Sequence, residues 1–311
     1  MAAETTSCFT FLKEGLLLPT QNPKLFTPVL LLLAVTTFLT STVQVLFMQP
    51  FTDDMFSHLV EFKNTDFSSY EYPALLEAIK QDAVIVIPEL IIALALGFVV
   101  QILALFAAFT TYSGDRYSLA ELVREISKGS ALKGPSITAA VATALGLAWI
   151  AVLVALLSVM TTRGHPVVLS VQGLVFALAF LGFLCFAVVA VVSVAASVAD
   201  EECSGVRALR RAWRLMTRVR RKEGLVLVLV AHLLPAVVNP AYGVAVAYAK
   251  KSMVMTLCMV AVHAFLSGAQ QLFYLAAAMV YYYEAMESKE VAPCGYAKDP
   301  IRGRKCPTDD P

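Results

Sequence analysis

Charged residues are scarce in this chain, since Asp, Glu, Lys and Arg together make up 15% of its 311 residues. Soluble domains usually carry about 25%. The formal net charge is only +1, so no global field exists that would attract nucleic acid. The six cysteines form no Cys-x-x-Cys pair and no Cys/His spacing typical of a zinc site. These shortages argue against a nucleic-acid-binding domain and against a structural metal site.

Recognisable catalytic motifs are also missing. The sequence contains no His-Glu-x-x-His, no Gly-x-Ser-x-Gly nucleophile elbow, no phosphate-binding P-loop and no Gly-x-Gly-x-x-Gly. We therefore expect no enzymatic activity, no catalytic metal and no cofactor.

Apolar residues are abundant instead, at 59% of the chain, and the mean hydropathy is +0.73. They occur in runs long enough to cross a bilayer, for which about 20 helical residues suffice. The sequence predicts an all-α, polytopic bundle of six transmembrane helices. We expect one membrane domain over residues 1–284 and a disordered cytosolic tail over 285–311. The predicted spans are 25–47, 83–112, 136–160, 167–198, 225–249 and 252–283.

The positive charges are distributed unevenly among the predicted loops. With the N-terminus in the cytosol, nineteen of the 24 lysines and arginines fall on the cytosolic side. Positively charged loops are retained there. The loop 49–82, on the opposite side, is acidic. The sequence therefore predicts a multi-pass protein with both termini in the cytosol, and leaves open whether the membrane is the plasma membrane or an endomembrane.

A pattern recurs three times along the chain. An amphipathic stretch, a Pro/Gly or basic break and a pair of spans begin near Phe9, Ser118 and Gly205. We expect these stretches to form helices in the cytosolic membrane interface. The pattern has two explanations, an ancestral repeat or the general amphipathic character of surface segments that precede a span.

The third stretch, residues 200–222, is the most basic. Its apolar residues recur at helical spacing, and four arginines follow the same spacing on another side. Basic amphipathic helices between spans lie against anionic headgroups, with tryptophan at the boundary. The apolar residues are Val206, Leu209, Trp213, Met216 and Val219, and the predicted headgroup-binding residues are Arg207, Arg211, Arg214 and Arg218. The expected partner is the anionic cytosolic leaflet. The sequence identifies no protein partner.

The same segment carries a recurring signature: an acidic residue, a glycine, then Ala-Leu-x-Arg-(Ser/Ala)-Trp-x-Leu. Here it stands as Glu202, Gly205, Ala208, Leu209, Arg211, Ala212, Trp213 and Leu215. This signature resembles the six-span membrane domain found in many bacterial proteins and fused to some glycerophosphodiester phosphodiesterases. A plant group of short six-span proteins of unknown function shares it, and the opening LKEGLLLPTQNPKLF is similar to theirs.

A second element of that resemblance closes the last span, where Tyr-x-Asp-x-Arg is usual. This chain has Tyr282-Tyr283-Glu284, and Met286 replaces the usual arginine. The resemblance implies the six-span fold and topology. It implies no activity, because the catalytic barrel of the phosphodiesterases is absent.

Five polar residues lie deep within predicted spans, where polar groups commonly serve function. On span two, Glu89 either is functional or lies just below the interface beside water or lysine. On spans five and six, the pairs His232/Asn239 and His263/Gln270 are each seven residues apart, so each shares one helix face. These pairs either line a polar route or hydrogen-bond across a helix interface.

Glu284 ends the last span near the predicted basic helix. A partly desolvated carboxylate needs a donor, and an arginine fork suits it. The nearest donors are Arg210, Arg211 and Arg214. We predict a structural clamp between Glu284 and Arg211, the arginine of the signature, against the alternative of a solvated Glu284.

Two functional classes remain. The first is a membrane-organising or lipid-interacting protein that works through its basic interfacial helices. The second is a small transporter or permease that uses the polar residues of spans two, five and six.

Overall fold

The computed structural model describes residues 9–64, 72–128, 130–162, 171–200, 202–249 and 251–289. Within these ranges the chain is helical and contains no strand, which confirms the predicted all-α class. Two π-helical segments, Gln44–Met48 and Leu215–Val219, follow α2 and α8. The α-helices are α1 Thr10–Gln21, α2 Pro23–Val43, α3 Gln49–Asn64, α4 Tyr72–Tyr112, α5 Leu119–Lys128, α6 Lys133–Thr162, α7 Val171–Ala199, α8 Val206–Arg214, α9 Arg221–Tyr248 and α10 Met253–Lys289.

Six helical segments are long and apolar enough to cross a membrane, with mean hydropathies between 1.6 and 2.9. Their number agrees with the six predicted spans, and they identify the chain as a multi-pass membrane protein. They are Pro23–Met48, Pro73–Tyr112, Lys133–Ser158, Val171–Ala199, Arg221–Tyr248 and Met253–Ser288.

Several helix ends differ from the predicted spans. The helix predicted to begin at residue 83 begins at Tyr72, and the last helix continues to Lys289 although the tail was expected from residue 285. The loop predicted over 49–82 contains the helix α3. Backbone hydrogen bonds continue through residues with good helix propensity, such as Ala, Glu and Lys, so a helix can extend beyond its apolar run. The remaining tail residues, 290–311, lie outside the described residues.

The chain divides into two compact units. The first unit covers Met1–Leu25, Leu105–Val228 and Ala276–Pro311, and the second covers Phe26–Ala104 and Leu229–Leu275. Helices α2, α4, α9 and α10 each contribute residues to both.

The first unit contains the three short helices α1, α5 and α8, which were predicted to be amphipathic. They begin at Thr10, Leu119 and Val206, each one residue after the predicted start of a repeat. Two spanning helices follow each of them. Each of the three predicted starts therefore begins a short helix that is followed by two spanning helices.

Helix α1 lies against the last turns of α10. Phe11, Gly15 and Leu18 are buried at spacings of four and three, which is one face of the helix. The Phe11 ring meets the Tyr281 ring edge to face at 5.8 Å. At Gly15 a Cβ atom would lie 2.8 Å from the Cα of Ala277, so the two backbones touch and only glycine fits.

Helices α6 and α7 pair through Trp149. Its indole N–H donates to the Ala179 carbonyl at 3.2 Å, and its ring stacks on Phe186 at 5.7 Å. Gly182 leaves room for the indole, because a Cβ there would lie 3.0 Å from it. The hydrogen bond satisfies the polar edge of a large ring between two apolar helices.

The second unit packs α2, α9 and α10 together. A core of Val45, Ala245 and Val260 joins the π-helical segment Gln44–Met48 to α9 and α10. Gly268 allows close approach of α10 to α2, since a Cβ there would lie 3.1 Å from the Ala34 nitrogen. Small residues at such contacts are typical of membrane helix packing. His58 of α3 contacts Asp82 of α4 at 2.9 Å.

Candidate functional site

The basic helix α8 begins at a fixed point in the first unit. Gly205 precedes it with φ of +61°, a left-handed conformation that glycine adopts without steric cost. The Gly205 N–H donates to the Thr138 hydroxyl of α6 at 2.8 Å. The start of the helix is therefore tied to a spanning helix, and the orientation of its faces follows from that anchor.

The sides of α8 differ in burial and chemistry. Ala208, Ala212 and Leu215 are buried in the first unit. Val206 and Trp213 are 57% and 49% exposed, although they belong to the predicted apolar stripe. The two alanines, Leu215 and Met216 thus make the contact with the protein, whereas Val206 and Trp213 stay outside it. This leaves an apolar flank beside the basic one, as expected for a helix in a membrane interface.

The basic flank lines an open pocket of about 330 Å³. Its walls are Cys203, Arg207, Arg210, Arg211 and Arg214. Arg207, Arg210 and Arg214 are exposed, and none forms a hydrogen bond or ion pair with another residue in the described ranges. Three guanidinium groups are therefore free to bind an anion from outside.

Arg211, one of the four predicted headgroup-binding residues, contacts other groups of the protein instead. Its Nη1 donates to Asp200 Oδ2 at 2.6 Å, and its Nη2 lies 3.5 Å from the Met286 sulfur. The guanidinium also lies over the Tyr282 ring, at 5.9 Å. Burial alone would lower the pKa of Arg211, but Tyr282, Cys203 and Asp200 outweigh it and raise the pKa. The group is permanently charged and connects the end of α7 to α10.

The predicted clamp between Glu284 and Arg211 is wrong in its arginine. Glu284 forms its ion pair with Nη1 of Arg220, whose Nε donates to the Ser288 hydroxyl at 2.8 Å. Both charged side chains are largely buried, with 17% and 14% exposed for Arg220 and Glu284. The Tyr281 hydroxyl donates to the Arg220 carbonyl at 3.3 Å. A clamp on α10 exists, but it is formed at the C-terminal end of the basic helix.

The π-helical segment Leu215–Val219 explains the change of partner. It ends at Arg220, whose backbone is no longer helical, and the Arg220 N–H closes the segment on the Leu215 carbonyl. Arg220 therefore turns away from the pocket toward α10. π-Helical turns often occur at functional sites, and a π turn was not visible in the sequence. Arg218, the fourth predicted headgroup residue, is exposed but does not line the pocket.

Two of the five deep polar residues lie around Tyr242 in the second unit. His263 is 8% exposed, and its ring centroid is 5.3 Å from that of Tyr242. Its Nε2 lies 3.4 Å from the Ser267 hydroxyl, and its buried Nδ1 has no hydrogen-bond partner within the described residues. Glu89 is half-buried and within electrostatic range of Tyr242.

The other three deep polar residues are less enclosed. His232 and Gln270 are half-buried, whereas Asn239 is exposed. Asn239 therefore does not face the interior with His232, although seven residues separate them. The seven-residue spacing predicts a shared face in a regular helix, but α9 contains Pro235 and Pro240, which interrupt its hydrogen bonding.

Comparison with known proteins gives no further identification. No family model matches the chain, and neither a curated protein nor a solved structure matches it.

Proposed function

We propose that this membrane protein binds anionic lipid headgroups through α8, without catalytic activity, and thereby organises one leaflet around its bundle. The observation that carries the proposal is the exposed basic pocket of Arg207, Arg210 and Arg214 beside the exposed Val206 and Trp213. Cationic side chains beside apolar ones match the headgroup region of a bilayer, where phosphate lies next to acyl chains.

The arrangement of charge supports a cytosolic position for this helix. Eight lysines and arginines lie between Arg207 and Lys222, and the cytosolic leaflet carries the anionic lipids. Both termini would then lie in the cytosol. The resemblance of the α8 signature to the plant six-span proteins supports membership of that group as a further part of the proposal.

A ligand titration of the purified full-length protein in neutral detergent tests the proposal. Dioctanoyl-phosphatidylserine should raise the midpoint of thermal unfolding, because a ligand that binds only the folded state stabilises it. The variant R207Q/R210Q/R214Q should lose most of this rise, and added salt should reduce it in the wild type.

A matched variant controls for net charge. K13Q/R124Q/K133Q also removes three exposed cations of the first unit, but none of them lines the pocket. It should keep the wild-type response. Equal loss in both variants would reduce the binding to a general charge effect, and no loss in either would contradict the proposal.

Transport is a second candidate, favoured by one specific observation. His263 is buried in the second unit, and its Nδ1 has no hydrogen-bond partner among the described residues. Its ring lies 5.3 Å from that of Tyr242, which is within electrostatic range of Glu89. Buried ionisable groups in spans often form proton pathways. Proteoliposomes that contain a trapped pH dye should then dissipate a pH gradient faster than protein-free liposomes, and H263L should abolish the difference. Wild-type flux equal to that of protein-free liposomes would contradict this candidate.

A further inference from the structure

The arginines that line the α8 pocket crowd like charges onto one side of a short helix. The pairs Arg207/Arg210 and Arg211/Arg214 are three residues apart, and the pairs Arg207/Arg211 and Arg210/Arg214 are four apart, so the two side chains of each pair are neighbours on the helix surface. Like-charge pairs at these spacings destabilise a helix. Of these four arginines, only Arg211 forms an ion pair with a carboxylate of the described residues, that of Asp200. An anion bound in the pocket would relieve this repulsion.

We propose that this pocket is a selective site for a dianionic phosphomonoester, carried by a lipid headgroup or by a soluble phosphate compound. The inference rests on the proposed function and specifies its ligand. A phosphomonoester carries a charge of about −1.5 to −2 at neutral pH and exposes three strong acceptor oxygens. A phosphodiester such as that of phosphatidylserine carries one charge on two free oxygens. Three free guanidiniums match the monoester.

The geometry of the pocket supports recognition beyond attraction to a charged surface. Its volume of about 330 Å³ is at the small end of ligand sites, roughly 300–1,000 Å³. Arg211 forms part of its lining, and the bond to Asp200 holds that guanidinium in place. An arginine fork binds two phosphate oxygens at once, whereas lysine supplies a point charge. The fixed guanidinium of Arg211 and the three exposed guanidiniums beside it therefore favour the phosphomonoester, which has three acceptor oxygens, over the phosphodiester, which has two.

The test compares dioctanoyl-phosphatidate, dioctanoyl-phosphatidylserine and inorganic phosphate as ligands of the purified full-length protein in neutral detergent at pH 7.5. A hydrogen bond to a charged group contributes roughly a tenfold change in affinity. We expect phosphatidate to bind at least tenfold more tightly than phosphatidylserine. This preference should shrink as the pH falls below about 6, where the monoester loses its second charge.

Two variants separate recognition from charge. R210K/R214K keeps the positive charge but removes two forks, so it should keep phosphatidylserine binding and lose the preference for phosphatidate. R207Q/R210Q/R214Q should lose both, and K13Q/R124Q/K133Q should lose neither. Each variant is first compared with the wild type in thermal unfolding without ligand, and a variant that unfolds early is replaced by its single substitutions.

The outcomes are distinguishable. A lipid source is assigned if phosphatidate binds far more tightly than inorganic phosphate, and a soluble source if the two bind equally. Equal wild-type affinity for phosphatidate and phosphatidylserine would overturn the phosphomonoester inference. The proposed function would still stand if the three-arginine variant lost both ligands. Retention of both ligands by that variant would overturn the two proposals together.

Discussion

Arginine serves two purposes within one short segment. Arg211 and Arg220 bind groups of the protein, and Arg207, Arg210 and Arg214 face outward. The difference follows from burial and from partners. An arginine that leaves water needs a carboxylate, and Asp200 and Glu284 supply one each. The free arginines remain solvated and need none.

The ion pair between Arg220 and Glu284 should contribute to the stability of the protein. E284Q leaves the largely buried Arg220 without its main partner, and uncompensated buried charges cost about 3–5 kcal/mol. We expect E284Q and R220M to lower the free energy of unfolding by about 2–4 kcal/mol each in equilibrium unfolding. For E284Q the loss is below the full cost because Glu223 remains 4.0 Å from Arg220.

The double variant R220M/E284Q should cost less than the sum of the two single changes, because the two residues interact. E287Q, an exposed neighbour on α10, is the control and should leave the stability unchanged. Additive effects of R220M and E284Q would contradict the clamp.

The start of α5 gives a prediction of pH dependence. The Glu121 carboxylate accepts from the Ser118 N–H and hydroxyl at 2.8 Å each, and these hydrogen bonds lower the pKa of Glu121. A lowered pKa stabilises the folded helix above the pKa of the unfolded state, and this stability is lost as the pH falls through the folded pKa. Amide exchange in α5, corrected for its intrinsic pH dependence, should therefore become faster below about pH 4.

E121Q should remove that pH dependence. Backbone amide exchange in α5 should then be faster than in the wild type at neutral pH as well, because the neutral glutamine side chain binds the Ser118 N–H more weakly than the carboxylate does. E125Q is the control on the same exposed side of α5. An unchanged profile in E121Q would show that the carboxylate does not cap this helix.

At the scale of elements, α1 depends on one backbone contact. G15A would place a Cβ 2.8 Å from the Cα of Ala277, and backbone cannot move aside as a side chain can. We expect a loss of about 1–3 kcal/mol of stability, as in overpacked cores, and easier proteolysis within α1. G97A is the matched control, since a Cβ at Gly97 meets nothing within 4 Å. Equal effects of G15A and G97A would contradict close docking of α1.

The elements also show what the sequence could predict. The six spans followed from hydropathy, because an apolar run is a local property of the chain. The starts of α1, α5 and α8 followed from breaks and periodicity. The buried face of α8 did not, because Ala208 and Ala212 are small and contribute little to an apolar stripe although they permit close packing. The partner of Glu284 depends on a π turn and on where the helix ends, and no local pattern encodes either.

The proposed topology of the whole molecule, with both termini in the cytosol, predicts on which side of the membrane each loop lies. In a variant without the native cysteines, S127C on α5 should be labelled by an impermeant maleimide only after the membrane is opened. S57C on α3 should be labelled from outside the cytosol. Both serines are exposed, and each hydroxyl donates to a carbonyl of its own helix. Labelling of both positions from one side would contradict six spans with cytosolic termini.

We propose that α8 lies in the membrane interface with its apolar flank in lipid. The chain has two tryptophans, so W149F leaves Trp213 as the sole indole fluorophore. In bilayers that contain phosphatidylserine and brominated lipids, we expect strong quenching of Trp213 by bromines near the headgroup. Bromines at the bilayer centre should quench weakly, and aqueous iodide should have little effect. Free quenching by iodide, with no quenching by brominated lipid at any depth, would contradict it.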